Sequence, residues 1–360
     1  MSKRKLILIN PWIYDFAAHD LWAKPMGLLY LASYFIRIGY DVQLIDCLDV
    51  NNPYMKGSSL RKPKRKEYGT GKFWKQRIDV PAPLRHINRP FSRYGISPDV
   101  LKKELIYAGK PSAFLVTSTM TYWYLGVKDT IKAIKEIYPD VPVLVGGIYA
   151  RLCPEHAQKN IGADVVVTES EPEKVLEDLI KLGITPKKRL KFSPSVMYPA
   201  FELYKKLDYV CIMTSKGCPY RCKYCASPFL NPKFCKRDAY DVFEEIYYWR
   251  KRFGVMDFAF YDDALLISAD SHLLPALEMV VRKKLDIRFH TPNAIHVSGI
   301  YKEVAEIMYR SGFKTIRLGL ETADIRLHRS LDKKITDLDQ VERAVSYLFK
   351  AGFRSDQIGA

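Results

Sequence analysis

No apolar run in these 360 residues approaches the ~18 that a bilayer-spanning helix needs. The opening Met-Ser-Lys-Arg-Lys-Leu-Ile-Leu-Ile-Asn-Pro has a basic head, but its apolar stretch is too short for a signal peptide. The expectation is a soluble, cytoplasmic protein with no membrane partner. A dinucleotide fingerprint is missing: Gly69-Thr-Gly71 lacks the third glycine and follows no strand. Acidic residues are in deficit, with 40 Asp+Glu against 57 Lys+Arg, a net charge of +17 that favours anionic partners. Cysteine is sparse and odd in number at seven, which argues against a disulfide framework in a chain without a secretion signal. What is there is ordinary for a globular protein: 48% hydrophobic and 27% charged residues exclude disorder and fibre. The length suits about two domains of ~150 residues.

The first half alternates β-branched runs with amphipathic stretches. Strands are expected at 5–9, 40–46, 112–116, 141–145 and 163–167, and helices at 26–38, 126–138 and 172–182. Strands alternating with helices give a parallel sheet with right-handed crossovers, so residues 1–182 read as a doubly wound, Rossmann-like α/β domain. Its ligand belongs beyond the carboxyl ends of the strands. Residues 51–98 break the pattern as a long aperiodic insertion. Within it, residues 61–77 hold eight Lys or Arg and one acid, Glu67. That is a solvated basic loop or a surface for phosphate groups or nucleic acid, since Tyr and Trp lie among the charges. Residues 183–207, basic and punctuated by Pro186, Pro194 and Pro199, read as a linker. From 208 to 360 a second alternation begins, with strands at 209–214, 257–261, 286–290 and 315–320 and helices near 238–252, 271–284, 301–311 and 337–351. It reads as part of a (βα) barrel that is cut short at its end, a further strand starting at Phe353.

Three of the cysteines crowd together in Cys218-Pro-Tyr-Arg-Cys222-Lys-Tyr-Cys225, directly after the first strand of the second alternation. A zinc site asks for a fourth thiolate or imidazole, and Cys235, ten residues on from Cys225, keeps that reading open. Three thiolates also suit a [4Fe–4S] cluster with one iron left free, whereas electron carriers close the cluster with four.

This C-x3-C-x2-C loop, with an aromatic residue before its last cysteine, resembles the radical S-adenosylmethionine (SAM) superfamily. The resemblance covers roughly 208–360 and implies that Cys218, Cys222 and Cys225 hold the cluster. Its open iron would bind SAM, and the reduced cluster would cleave SAM to a 5′-deoxyadenosyl radical. It places Tyr224 near the adenine. Where the family has Gly-Gly-Glu the chain reads Tyr261-Asp262-Asp263, so carboxylates would meet the SAM ammonium, unless they cap a helix. Asn293 is similar to a ribose contact, or serves a turn. Gly319-Leu-Glu321 is similar to the family's Gly-x-Glu, with the glutamate facing the cofactor at the carboxyl end of a strand. His290 reads as structural.

The first half resembles the cobalamin-binding domain that precedes the barrel in one branch of that superfamily. Val143-Leu-Val-Gly146-Gly147 is similar to its Gly-Gly turn, where bare backbone admits a planar ligand. Thr117-Ser118-Thr119 and Thr168-Glu169-Ser170-Glu171 stand where the branch has nucleotide and Gly-Glu-Gly-Glu contacts. Ser118, Gly146, Gly147 and Glu171 are therefore the implied cobalamin residues. The Asp-x-His-x-x-Gly motif that supplies a histidine to cobalt is absent, so no histidine of the chain is expected to ligate it.

The reading that follows is a radical SAM enzyme whose adenosyl radical abstracts hydrogen from an unactivated C–H bond, the substrate radical then taking a methyl group from methylcobalamin. It would take a small-molecule or anionic substrate and electrons from a reductant such as flavodoxin or ferredoxin. The competing readings are a radical rearrangement or sulfur insertion without functional cobalamin, including one on RNA, and an iron–sulfur electron carrier.

Overall fold

The computed structural model describes residues 4–335 and 337–360. The chain divides into two compact units, Met1–Lys206 and Leu207–Ala360.

The first unit is built on a five-stranded parallel sheet of β1 (Lys5–Asn10), β2 (Asp41–Asp46), β3 (Ala113–Val116), β4 (Val143–Val145) and β5 (Val165–Val166). Their order across the sheet is β5-β4-β3-β1-β2, a doubly wound topology whose switch point lies between β1 and β3. The continuous apolar runs follow from burial on both faces. In β1, Ile7 and Ile9 join the core under α2 (Pro98–Ala108) and α3 (Tyr124–Ile137). Leu6 and Leu8 point to the opposite core, with α1 (Met26–Arg37) and α4 (Pro172–Lys181).

Residues 51–98 are not the aperiodic loop that the sequence suggests. Ser92–Tyr94 pairs antiparallel with both Ile13–Asp15 and Lys75–Arg77, and Gly71–Lys72 pairs with His19–Asp20. The strands are two or three residues long, too short for a period to register. Two of the aromatic residues among the charges face inward. Phe73 and Trp74 are buried, and the Trp74 indole donates to the Val50 carbonyl at 3.2 Å. Arg65 pairs with Asp20 at 2.6 Å. The basic face therefore keeps its lysines, while Trp74 is turned into the core.

Helix α2 also escaped the sequence reading, although its start is well marked: the Ser97 hydroxyl accepts from Val100 N and Pro98 occupies the first turn. The stretch read as a linker lies along the first unit. Tyr40 Oη donates to Ile184 O at 2.8 Å, Lys187 N donates to Ile38 O, and Met197 and Ala200 enter the core beside α1.

The second unit is a parallel sheet of β6 (Val210–Ile212), β7 (Asp257–Phe260), β8 (Arg288–His290), β9 (Phe313–Arg317) and β10 (Ile358–Gly359), adjacent in chain order. Helices α5 (Ala239–Phe253), α6 (Leu273–Arg282), α7 (Lys302–Ser311) and α8 (Asp339–Ala351) alternate with them. This in-order succession is that of a partial (βα) barrel. Phe260, Phe289 and Phe313 pack ring to ring at 5.1–5.6 Å inside it. His290 is structural, as read: fully buried, it contacts Asp257 Oδ1 and Thr315 Oγ1, each at 3.0 Å. The last strand starts at Ile358, five residues beyond Phe353, which instead packs on Tyr309. Among the described residues no helix is long and apolar enough to cross a membrane.

Candidate active site

The cysteine loop leaves the carboxyl end of β6 through a tightly anchored base. Ser215–Lys216 pairs antiparallel with Cys235–Lys236, closing the loop. Arg237 donates from its backbone N to Thr214 O and from Nη1 to Met213 O, both at 2.8 Å. Gly217 has φ +83, and a Cβ there would stand 2.5 Å from Lys233 O, so only glycine fits between Ser215-Lys216 and Cys218.

Asp262, at the end of β7, is fully committed to this base. One carboxylate oxygen accepts from Thr214 Oγ1 (2.7 Å), Ser215 N and Ser215 Oγ (both 2.6 Å), and also from Thr214 N (3.0 Å). Burial raises its pKa above the usual carboxylate value, against the pull of those hydrogen bonds. Sequence reasoning placed Asp262 on the SAM ammonium or on a helix cap; the structure assigns its carboxylate to the cysteine loop instead. Asp263 is the exposed member of the pair and accepts from Asn231 Nδ2 at 3.2 Å. Asn293 is also exposed and donates to Tyr261 O at 3.1 Å, joining the ends of β7 and β8.

Cys218, Cys222 and Cys225 are half-buried free thiols. They are near neighbours: burial raises the Cys218 pKa, and the charges of Cys225 and Cys222 add to it. Cys225 Sγ accepts from Ser227 N, and Cys222 Sγ lies 3.7 Å from Asp332 O. Among the described residues no three His, Cys, Asp or Glu side chains converge on a single ion. A zinc ion needs four such ligands on one centre, and Cys235 is exposed on the closing strand at the loop base. A cluster takes one thiolate per iron from a soft, all-sulfur set, which this loop provides. The donor set fits the cluster.

Glu321, after β9, adopts φ +59, a left-handed conformation uncommon outside glycine. Its Oε2 is 2.7 Å from Lys333 Nζ. Tyr224 is half-exposed; burial of its phenol, followed by the Glu321 charge, pushes its pKa up. His296 was missed by sequence reasoning. Its ring lies 5.0 Å from Tyr220 of the cysteine loop. Nδ1 accepts from Ser298 N at 3.3 Å, which leaves the proton on Nε2, a buried atom with no hydrogen-bond partner among the described residues. Burial, then the Lys333 charge, lowers its pKa to about 4. A buried N–H donor of this kind takes a water or a bound ligand as its acceptor. No spacing in the sequence marks it.

In the first unit, Ser118 closes β3 and is buried. Its hydroxyl donates to Gly146 O at 2.6 Å, and its carbonyl accepts from Ile148 N at 2.7 Å. Gly147 has φ +96, and a Cβ there would meet Ser118 O at 2.3 Å. Its bareness is used by the chain's own β3 loop, not left for a ligand. At Gly146 a Cβ would meet only Val167, at 3.8 Å. Glu171 is exposed and accepts from Ser170 N and Oγ at 3.1 Å. Met120, Tyr122 and Ile148 are exposed on the loops after β3 and β4, an apolar edge suited to a large planar ligand.

A family model for the radical SAM superfamily matches residues 212–359, and one for the B12 binding domain matches residues 98–176. The chain is 22% identical over 411 residues to a cytidylyl-2-hydroxyethylphosphonate methyltransferase of Streptomyces wedmorensis, covering 97% of this chain and 71% of that one. It is 29% identical over 163 residues to a bacteriochlorophyllide d C-12(1)-methyltransferase of Chlorobaculum tepidum, covering 44% of this chain and 34% of that one. The fold is similar to the radical SAM methyltransferase TsrM from Kitasatospora setae, solved with cobalamin and a [4Fe-4S] cluster, with a TM-score of 0.68, 16% identity, and coverage of 98% of this chain and 66% of that one. The cobalamin-dependent SAM radical enzyme OxsB is similar at a TM-score of 0.62 and 13% identity, and the chain spans 48% of its length.

Proposed function

Because this chain is a radical SAM enzyme of the branch that carries a B12-binding domain, we propose that it transfers a methyl group to an unactivated carbon of a small molecule. The observation that carries this reading is the half-buried trio Cys218, Cys222 and Cys225, on a loop whose base Asp262 ties down with four hydrogen bonds. When bound, the cluster and SAM supply one-electron chemistry, and cobalamin supplies the methyl group. The chain's own residues hold and orient these groups. Asp262 fixes the loop, so that the three thiols keep their spacing. Asp263 and Glu321 offer carboxylates to the ammonium of SAM, and Tyr224 offers a ring face to its adenine. Asn293 braces the rim between β7 and β8. In the first unit, Ser118 and Gly147 lock the β3 and β4 loops together, and Gly146 with Met120, Tyr122 and Ile148 forms the surface for the corrin. No motif histidine stands by for cobalt. Arg221, Lys216 and Lys223, exposed on the cysteine loop, suit an acidic electron donor such as flavodoxin or ferredoxin.

Anaerobic reconstitution tests the proposal. The wild-type chain should take up iron and sulfide with the brown absorption of a cluster, and mass spectrometry should find SAM cleaved only when a reductant is present. Replacing Cys218, Cys222 and Cys225 together by Ala should abolish that absorption. A triple variant that keeps a full cluster overturns the assignment.

A further inference from the structure

Lys333 belongs to none of the motifs above, yet it joins two of them. Its side chain is 9% exposed, an unusual place for an ammonium, which stays buried only when paired. Nζ lies 2.7 Å from Glu321 Oε2 and donates to Tyr224 Oη at 3.3 Å. These partners sit on separate loops, Tyr224 in the cysteine motif after β6 and Glu321 after β9. Space for the ammonium is made by Gly319, where a Cβ would stand 3.2 Å from Nζ. The glycine of Gly-Leu-Glu thus makes room for this chain's own lysine. The backbone carrying Lys333 is held as well. Lys333 N donates to His328 O at 2.9 Å, Lys223 N donates to Leu331 O at 3.0 Å, and Asp332 is turned to φ +53. Two left-handed non-glycine residues, Glu321 and Asp332, both after β9, flank the contact; such conformations persist where the surroundings enforce them.

We infer that Lys333 is a positioning residue of the cofactor site, its ammonium setting Glu321 and Tyr224 in one fixed arrangement across the two loops. This rests on the proposed binding of SAM at that site. Lysine suits the task because its ammonium is a compact charge with three donors, able to serve a carboxylate and a phenol at once. A lysine that only closed an ion pair for stability would change melting and leave ligand affinity alone. One that touched SAM itself would contribute independently of Glu321.

The test uses the reconstituted full chain, with SAM affinity measured by equilibrium dialysis and normalised to cluster content. Lys333→Met should weaken SAM binding about tenfold, the scale of lost support behind a ligand-holding group. Lys333→Arg should recover most of that loss. The triple variant Lys333→Met/Glu321→Gln/Tyr224→Phe should bind no more weakly than Glu321→Gln/Tyr224→Phe, because the lysine acts through those two groups. Affinity of Lys333→Met within twofold of wild type, or a further loss when Lys333→Met is added to that pair, overturns the inference. Thermal melting reports folding; if Lys333→Met does not fold, Tyr224→Phe and Glu321→Gln replace it, and multiplying losses there overturn the shared ammonium. Wild type that binds no SAM overturns the proposed function and this inference together. Wild type that binds while Lys333→Met is unaffected overturns this inference alone.

Discussion

Asp262 and Asp263 are adjacent, yet their burial separates their roles. Asp262 serves four donors inside the protein, so Asp262→Ala should destabilise the second unit by about 2–4 kcal/mol, the cost of several orphaned donors. A fall in melting temperature together with poor cluster uptake checks this. Asp263→Asn should leave melting unchanged and weaken SAM binding severalfold. The sequence showed that a carboxylate pair ends this strand, but not which member turns inward, because that depends on Thr214 and Ser215 48 and 47 residues away. His296 carries a pH prediction. Its folded pKa of about 4 lies below the ordinary ~6.5, so the folded state favours the neutral ring. Its contribution is present above ~6.5 and is lost as pH falls towards 4. Urea titrations of wild type and His296→Gln should therefore differ in slope between pH 6.5 and 4, with the variant losing less stability. Parallel slopes refute the assignment.

Among the elements, the parallel strands were legible because both sheets bury long apolar runs between helices with clear 3.6-residue periodicity. The cysteine loop was legible because its chemistry is local in sequence. The insertion was not, since its three-residue strands are held by pairing partners from the distant segment 13–20. The Gly-Gly turn was legible as glycine but its reason was not. Gly147 is bare because Ser118 O would meet its Cβ at 2.3 Å, a contact no spacing reveals. Gly147→Ala should accordingly destabilise the first unit by about 1–3 kcal/mol through strain at positive φ, before any ligand is present. Gly146→Ala, with only Val167 in ordinary contact, should melt as wild type does. Equal melting of the two variants would contradict this reading of the turn.

At the scale of the whole molecule, +7 of the net charge of +17 sits in residues 61–77 of the first unit. Lys62, Lys64, Lys66 and Lys72 are exposed, whereas Arg65 is tied to Asp20. Neutralising those four lysines to Gln should leave reductive SAM cleavage within twofold of wild type while weakening any salt-dependent binding of anions. A folded variant that no longer cleaves SAM would show that the segment belongs to the radical chemistry.

Residues 331–333 contact the cysteine loop through Leu331 O and Asp332 O, the latter at Cys222, 110 residues further along the chain. On the ribosome, at roughly 5–20 residues per second, the thiols leave the exit tunnel about 5–20 s before the segment that covers them exists. During that interval the loop already has the means to form its base, since Cys235–Lys236 and Arg237 follow closely, but the Asp332 contact to Cys222 is still to come. The order of synthesis therefore puts the cysteine loop and its base ahead of the Asp332 contact by seconds on the nascent chain.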